Sequence, residues 1–420
     1  MAKTVGLITE YNPFHNGHCY HLQEARRMSS AEHVIVVMSG DFVQRGAPAI
    51  LSKHVRTRMA LSQGADLVLE LPSCYATSSA ADFAQGAVAL LTNLGVVDTL
   101  CFGSESGELP VFQKLASYLT EEPEPYRLLL QSNLKLGQTF PVARQRALVQ
   151  LFPEDALGEF LASPNNILGL AYCEALLRLK SPLQPLTLQR RHNAYHDTDL
   201  HPLTSSATAI RHTILQEKDG AFASLQSQMP VEVFALLQKT LRTNPAITTD
   251  HFSLLLKYKL MSEGGRLSEF ADVSSDLAAR IDRQLYNFET LSQFTELLKT
   301  RELTHSRISR ALYHILLQLR QEDLAAYKQA GWSPYARVLG FRENTPVLAA
   351  IKKHSCVPLV TKLSTQLRLL PSAARHMLQA DVWNSNLYES VLSTLAHRAF
   401  VHEYSQPVAI SAPWRTPDAP

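Results

Sequence analysis

Two histidines three residues apart, His15 and His18, stand in "PFHNGHCYHL", where an apolar run gives way to a helical pattern. A helix start offers backbone N–H groups without intrahelical partners and the positive end of the helix dipole. Together these hold phosphate well. Gly17 lets a ligand come close to the backbone, and the spacing puts both rings on one side of the first turn. Two imidazoles there can donate hydrogen bonds to phosphate oxygens and stabilise the charge that builds as a phosphate bond breaks. The pair can also be read as incidental to a helix start. As a metal site it is weaker, because no third ligand is evident nearby.

A second stretch, "SSATAIR", opens another helical pattern with Ser205, Ser206 and Thr208 and carries Arg211 one to two turns in. Small hydroxyl residues are good helix N-caps. They also suit a second phosphate-binding helix start, with Arg211 neutralising charge. "MSGDFVQRGAPAILSKHVR" carries Asp41, Gln44, Arg45 and Lys53 between Gly40 and the next helix. It reads either as a loop that closes over a nucleotide or receives an acceptor, or as a solvated surface loop. Glu70 of "LELP" is a charge in a strand that reads as buried, which is costly unless it is paired or functional.

The elements that must position these residues alternate over the first hundred positions. Strand-like runs fall at Thr4–Thr9, His33–Met38, Ala65–Pro72 and Val97–Glu105, with helical patterns at Gly17–Met28, Lys53–Gly64 and Ser79–Gly95 between them. Near-continuous apolar strands spaced by helices predict a parallel sheet covered on both faces. This is a doubly wound α/β domain, which binds ligands beyond the carboxyl ends of its strands. "LTLQRRHNAYHD" reads as a fifth strand running into a loop. We expect this domain to span residues 1–220, with a helical insertion at about 106–162, and a mainly α-helical domain to span 221–420. A short mixed stretch, "RVLGFRENTPVLAAIKK" and "VPLVTK", interrupts the latter.

Composition narrows the classes. A chain of 420 residues suggests two or three domains. No run of about 18 apolar residues is present, so no membrane span is expected. The N-terminal apolar run is too short for a signal peptide, which points to the cytoplasm. Five scattered cysteines without a CxxC pair argue against a disulfide framework or a structural zinc site. Net charge is +2, so any nucleic-acid surface must be local.

The longer motifs carry a resemblance. HxGH after a first strand, with an SSxxIR-like helix start later, resembles the nucleotidyltransferase superfamily of HUP, Rossmann-like domains. "GLITEYNPFHNGHCYHL", "VVMSGDFVQRGAPAI", "GADLVLELP", "FGSE", "SPNNILGLAY" and "YHD" followed by "SSATAIR" are similar to the tRNA(Met) cytidine acetate ligases. The resemblance covers the first domain and extends more loosely to about Lys362. It implies ATP-dependent acetylation of the wobble cytidine of elongator tRNA(Met). Acetate would attack the α-phosphate to give acetyl-adenylate and pyrophosphate, and the cytidine N4 amine would then take the acetyl group and release AMP. The implied catalytic pair is His15 and His18. The implied ATP contacts are Leu7, Ile8, Thr9, Glu10, Tyr11, Asn12, Pro13, Phe14, His15, Asn16, Gly17, His18, Cys19 and Tyr20, then Gly103, one of Asn165 and Asn166, and one of Arg190 and Arg191. Mg²⁺ is expected only as the companion of ATP, with no ligand set of its own.

Read from the residues alone, Gly103 can be a plain turn glycine, the asparagines can cap the helix they precede, and one of the two arginines can be merely solvated. For RNA, Lys299, Arg301, Arg307 and Arg310 cluster in "KTRELTHSRISR". From Arg283 to Lys362, twelve Lys and Arg face six Asp and Glu. This suits a phosphate-backbone footprint, or a solvated helix face. Where the family carries a Lys-Arg-Tyr-Thr-like run, this chain has Thr300-Arg301-Glu302-Leu303-Thr304. The expected partners are tRNA, acetate and ATP, with no membrane and no evident protein partner. The alternatives are an adenylyltransferase acting on a small metabolite and a non-catalytic RNA-binding protein. A small-metabolite enzyme has no need of the basic helical region, and the intact HNGH and SSATAIR argue against a non-catalytic relic.

Overall fold

Strands with apolar residues on both faces build the centre of the molecule. The computed structural model describes residues 2–153, 157–190, 205–217 and 222–412. Arg191, the "YHD" segment and the expected boundary at 220 lie outside the described residues. The strands are β1 (Thr4–Thr9), β2 (His33–Ser39), the short pair β3 (Phe42–Val43) and β4 (Ala47–Pro48), β5 (Leu67–Leu71), β6 (Thr99–Ser104), β7 (Gln184–Gln189), β8 (Ala336–Arg342), β9 (Leu359–Val360) and β10 (Ala409–Ser411). One sheet runs β10-β8-β5-β2-β1-β6-β7, with β9 on the side of β8.

Alternation along β2 shows why both faces are covered. Val34, Val36 and Met38 join Val5, Leu7, Leu22, Ala25 and Met59 in one core. Ile35 and Val37 join Leu67, Leu69, Val88, Leu91 and Leu170 in the other. Helices Asn16–Ser29 and Lys53–Ser62 therefore lie on one side, and Ala80–Asn93 and Pro164–Arg178 on the other. β1 pairs in parallel with β2 on one side and β6 on the other. The chain order reverses between β1 and β6, and that crevice is where such sheets take their ligands.

The sheet is mixed rather than wholly parallel. β8 lies antiparallel to β5, with a register shift at Val68/Leu69. β9 and β10 then pair in parallel with β8. The mixed stretch of the sequence thus returns to the first sheet and covers β5, which would otherwise be an edge with unpaired backbone groups. Residues 223–329 are helical apart from their connections, as the periodicity predicts. Helices at Leu109–Glu121, Glu124–Lys135 and Phe140–Leu151 fill the insertion between β6 and β7.

Candidate active site

The turn after β1 is built around buried rings. Tyr11 adopts φ 47, and the Asn12–Pro13 peptide is cis. Tyr11 and Phe14 are fully buried. Their centroids are 4.7 Å apart, and Tyr11 lies 4.9 Å from the His18 ring. His15 is the N-cap of helix Asn16–Ser29, and its Nδ1 accepts from the Gly17 N–H at 3.0 Å. A neutral imidazole that accepts at Nδ1 carries its proton on Nε2. The His15 carbonyl takes the next N–H groups, His18 at 2.9 Å and Cys19 at 3.1 Å. The His15 and His18 rings lie 3.8 Å apart and tilted by 33°. The two histidines are thus brought together as expected.

Gly17 has a different use from the one its sequence suggests. A Cβ there would sit 2.9 Å from His15 Cε1 and 3.1 Å from Nδ1. The missing side chain makes room for the imidazole that folds over the helix start.

Burial keeps these rings neutral. It pushes His15 down to about 3, with Arg190 and Arg211 adding to the shift. It pushes His18 well below the ordinary range, helped by His15, Arg190 and His21. His21, one helical turn further on, is lowered to about 4 by burial and by Arg190. Sequence reasoning did not single out His21, although the spacing His15, His18, His21 was visible.

"SSATAIR" does meet this turn. Ser206 caps helix Ala207–Gln216 by accepting from Ala209 N–H at 3.0 Å, while Ser205 is buried. Arg211 donates to the Asn12 carbonyl at 2.8 Å and to Thr208 Oγ1 at 3.1 Å. The Asn12 side chain accepts from Ile50 N–H at 2.8 Å. Asn16 donates to the Ser227 carbonyl at 2.8 Å.

Gly103 and Arg190 form the other wall. Arg190 N–H bonds to the Ser104 carbonyl at 2.9 Å, and its side chain crosses Gly103, where a Cβ would lie 3.4 Å from Arg190 Cγ. Behind them, Asn166 is buried, and its Oδ1 accepts from Glu105 N–H at 2.9 Å and Ser106 N–H at 3.2 Å. Glu105 reciprocates across 60 positions of sequence. Its carboxylate accepts from Asn165 N–H at 3.2 Å, from Asn165 Nδ2 at 2.7 Å and from Asn166 N–H at 2.8 Å. The asparagines therefore do not cap their helix; Glu105 does. Only the "FGSE" motif had pointed towards that residue.

The stretch after β2 is packed, not a solvated or mobile loop. Phe42 sits within 5.6 to 6.1 Å of Phe252, Tyr313 and Tyr388. A Cβ on Gly46 would meet the backbone of Arg310 at 2.5 Å. Gln44 N–H bonds to Glu10 Oε1 at 2.9 Å, and only Arg45 of this stretch is exposed. Fully buried Arg56 holds the same corner, donating to the carbonyls of Glu10 at 2.6 Å, Leu51 at 3.0 Å, Ser39 at 3.1 Å and also Gly40.

Glu70 is paired. It meets Lys53 Nζ at 2.7 Å and an Arg337 guanidinium nitrogen at 2.7 Å. Both cations also hold Glu403, Lys53 at 3.0 Å. Lys53 is wholly buried, unlike the loop residue its sequence suggests. Cavities of about 160 and 280 Å³ both border His54, the first also lined by Glu403 and the second by Arg337, rather than the His15–His18 crevice. Sheet topology, paired imidazoles and arginines coincide at the crevice.

Of the basic cluster, Lys299 pairs with Glu296 at 3.4 Å and Arg310 with Asp272 at 3.2 Å. Arg301 and Arg307 are exposed. Much of the regional excess is spent on ion pairs within the chain: Arg320 pairs with Glu269, Lys328 with Asp82, Arg337 with Glu70 and Arg342 with Asp66. Among the described residues no helix is long and apolar enough to cross a membrane.

The family model described as HIGH Nucleotidyl Transferase matches residues 2–402. A Clostridium kluyveri protein named tRNA(Met) cytidine acetate ligase is 39% identical over 403 residues, 94% of this chain and 96% of its own length. The Acetivibrio thermocellus protein of the same name is 37% identical, over 97% of this chain and all of its own. The crystal structure of apo Thermotoga maritima TmcAL superposes with a TM-score of 0.92 at 31% identity, covering 98% of this chain and all of that one. The same enzyme bound with alpha-thio ATP superposes at 0.89, also at 31% identity and the same coverage.

Proposed function

The chain belongs to the tRNA(Met) cytidine acetate ligase family of HIGH nucleotidyl transferases, and we propose that it uses ATP to join acetate to N4 of the wobble cytidine of elongator tRNA(Met). The observation that carries this reading is the crevice itself. Two neutral imidazoles and two guanidinium groups converge beyond the carboxyl ends of β1 and β6.

ATP would lie there with its phosphates against His15 Nε2–H, His18, Arg190 and Arg211, and its adenosine towards Gly103. An acetate oxygen attacks the α-phosphorus as the α–β oxygen bond breaks and pyrophosphate departs. The donors stabilise charge on the reacting phosphate without needing to lose protons. The cytidine amine then attacks the acetyl carbon, loses a proton and displaces AMP. Among the described residues no group of three or more His, Cys, Asp or Glu side chains is arranged to hold a metal ion. A Mg²⁺ would enter as cargo of the ATP phosphates, whose charge it would offset. Arg301, Arg307 and the hairpin residue Arg45 supply exposed positive charge for the tRNA backbone.

The test is incubation with ATP, labelled acetate and a tRNA(Met) transcript, followed by nucleoside mass analysis. Acetylated cytidine is expected, with pyrophosphate and AMP in equal amounts. His18→Asn should lose acetate-dependent pyrophosphate release while melting normally. Label that stays out of the tRNA, or normal turnover in that variant, would overturn the reading.

A further inference from the structure

We propose that Glu105 is a positioning residue that fixes the Asn165 amide with its carbonyl oxygen towards the ATP crevice, making Asn165 an acceptor for a donor group on the nucleoside. A carboxylate accepts hydrogen bonds and cannot donate them. Asn165 must therefore turn Nδ2 towards Glu105, where it lies 2.7 Å from Oε1. That contact settles the amide orientation, leaving Oδ1 for whatever meets the half-buried face of the residue.

Asn166 cannot take this role. It is buried, its Oδ1 serves two backbone N–H groups, and its own N–H serves Glu105. The carboxylate also fills the start of helix Pro164–Arg178, which would otherwise attract phosphate to this side of the site. Glu105 follows β6 directly, so the clamp ties Asn165 to the strand end that carries Gly103 and the overlying Arg190. A nucleoside offers three donor groups there, the 2′-OH, the 3′-OH and the adenine 6-amino group. A lone acceptor reads one of them.

This inference rests on the ATP reading above and is tested by steady-state kinetics on the full-length enzyme. Substrates are ATP, 2′-deoxyATP, 3′-deoxyATP and purine riboside triphosphate, each with acetate and tRNA. The wild type should disfavour one analogue by roughly tenfold in kcat/KM, the cost of an unpaired acceptor. Glu105→Gln can donate to Asn165 Oδ1, which lets the amide turn and present Nδ2. That variant should bring the preference within about twofold, mainly through KM, and Glu105→Asp should restore it. Asn165→Ala should lose the same preference. If Glu105→Gln weakens ATP and every analogue in parallel, the carboxylate only holds the fold and the proposal fails. Equal use of all four nucleotides by the wild type also overturns it. A wild type that turns over none of them instead rejects the parent reading.

Discussion

His15 offers the most direct quantitative test, because its depressed pKa becomes a pH dependence of stability. Folding holds this imidazole at about 3 through burial and the nearby Arg190 and Arg211, against about 6.5 in an unfolded chain. The folded state therefore binds fewer protons, so stability is full above pH 6.5 and falls as pH drops towards 3. Between pH 7 and pH 5 the unfolded imidazole becomes almost fully protonated and the folded one stays neutral. The loss is about 2 kcal/mol. His15→Asn is the informative substitution, because an asparagine side chain still accepts from the Gly17 N–H as an N-cap but does not titrate. Urea unfolding at both pH values gives the quantity needed. The wild type should lose about 2 kcal/mol more than His15→Asn between pH 7 and pH 5, whatever their difference at pH 7. Equal losses would mean that His15 titrates normally, and that it is not the buried neutral donor the mechanism requires. His21, lowered to about 4, should give a similar increment of about 2 kcal/mol over the same range.

Two further outcomes follow from the packing. Glu403→Gln leaves buried Lys53 and Arg337 sharing Glu70, with Asp41 at 3.9 Å from Lys53 as the next carboxylate, and should cost about 3 kcal/mol in urea unfolding; a loss under about 1 kcal/mol would show that the network is solvated. Arg307→Glu, at an exposed position, should weaken tRNA binding in filter assays and flatten its salt dependence while leaving ATP binding unchanged. Unchanged tRNA affinity would remove this helix from the RNA surface.

Strands β1, β2, β5 and β6 and the helices between them were legible because apolar runs and their spacing are local signals. β1 falls on Thr4–Thr9, as its pattern predicts. β8 to β10 were not legible as part of that sheet. They lie over 260 residues beyond β5, and their partner is chosen by the need to cover an edge. The stretch after β2 misled for a similar reason. It reads as a closing or a solvated loop, yet Phe42 packs against Phe252, Tyr313 and Tyr388, none of which its neighbours in sequence could announce. In the site, His15, His18 and Arg211 were legible as types at a spacing. Glu105 was not, because an acid beside a phosphate crevice makes sense only once its two asparagines, 60 residues away, are seen to need it.

The helix starts themselves change the account of phosphate binding. Sequence points to bare N–H groups at the ends of helices. In the folded chain, His15 takes the Gly17 and His18 N–H groups, Ser206 takes that of Ala209, and Glu105 takes those of Asn165 and Asn166. Each of the three helices facing the crevice spends first-turn donors on its own cap. Those contacts orient side chains towards the crevice: His15, whose Nδ1 accepts from Gly17 and whose proton therefore sits on Nε2, and His18, Arg190 and Arg211 beside it. The requirement for glycine at position 17 follows from the same arrangement, since the imidazole that caps the helix occupies the space a Cβ would fill. On the proposed reading, selectivity for a phosphate in transit, rather than for any bound anion, depends on the placement of side chains, which substitution can probe one group at a time.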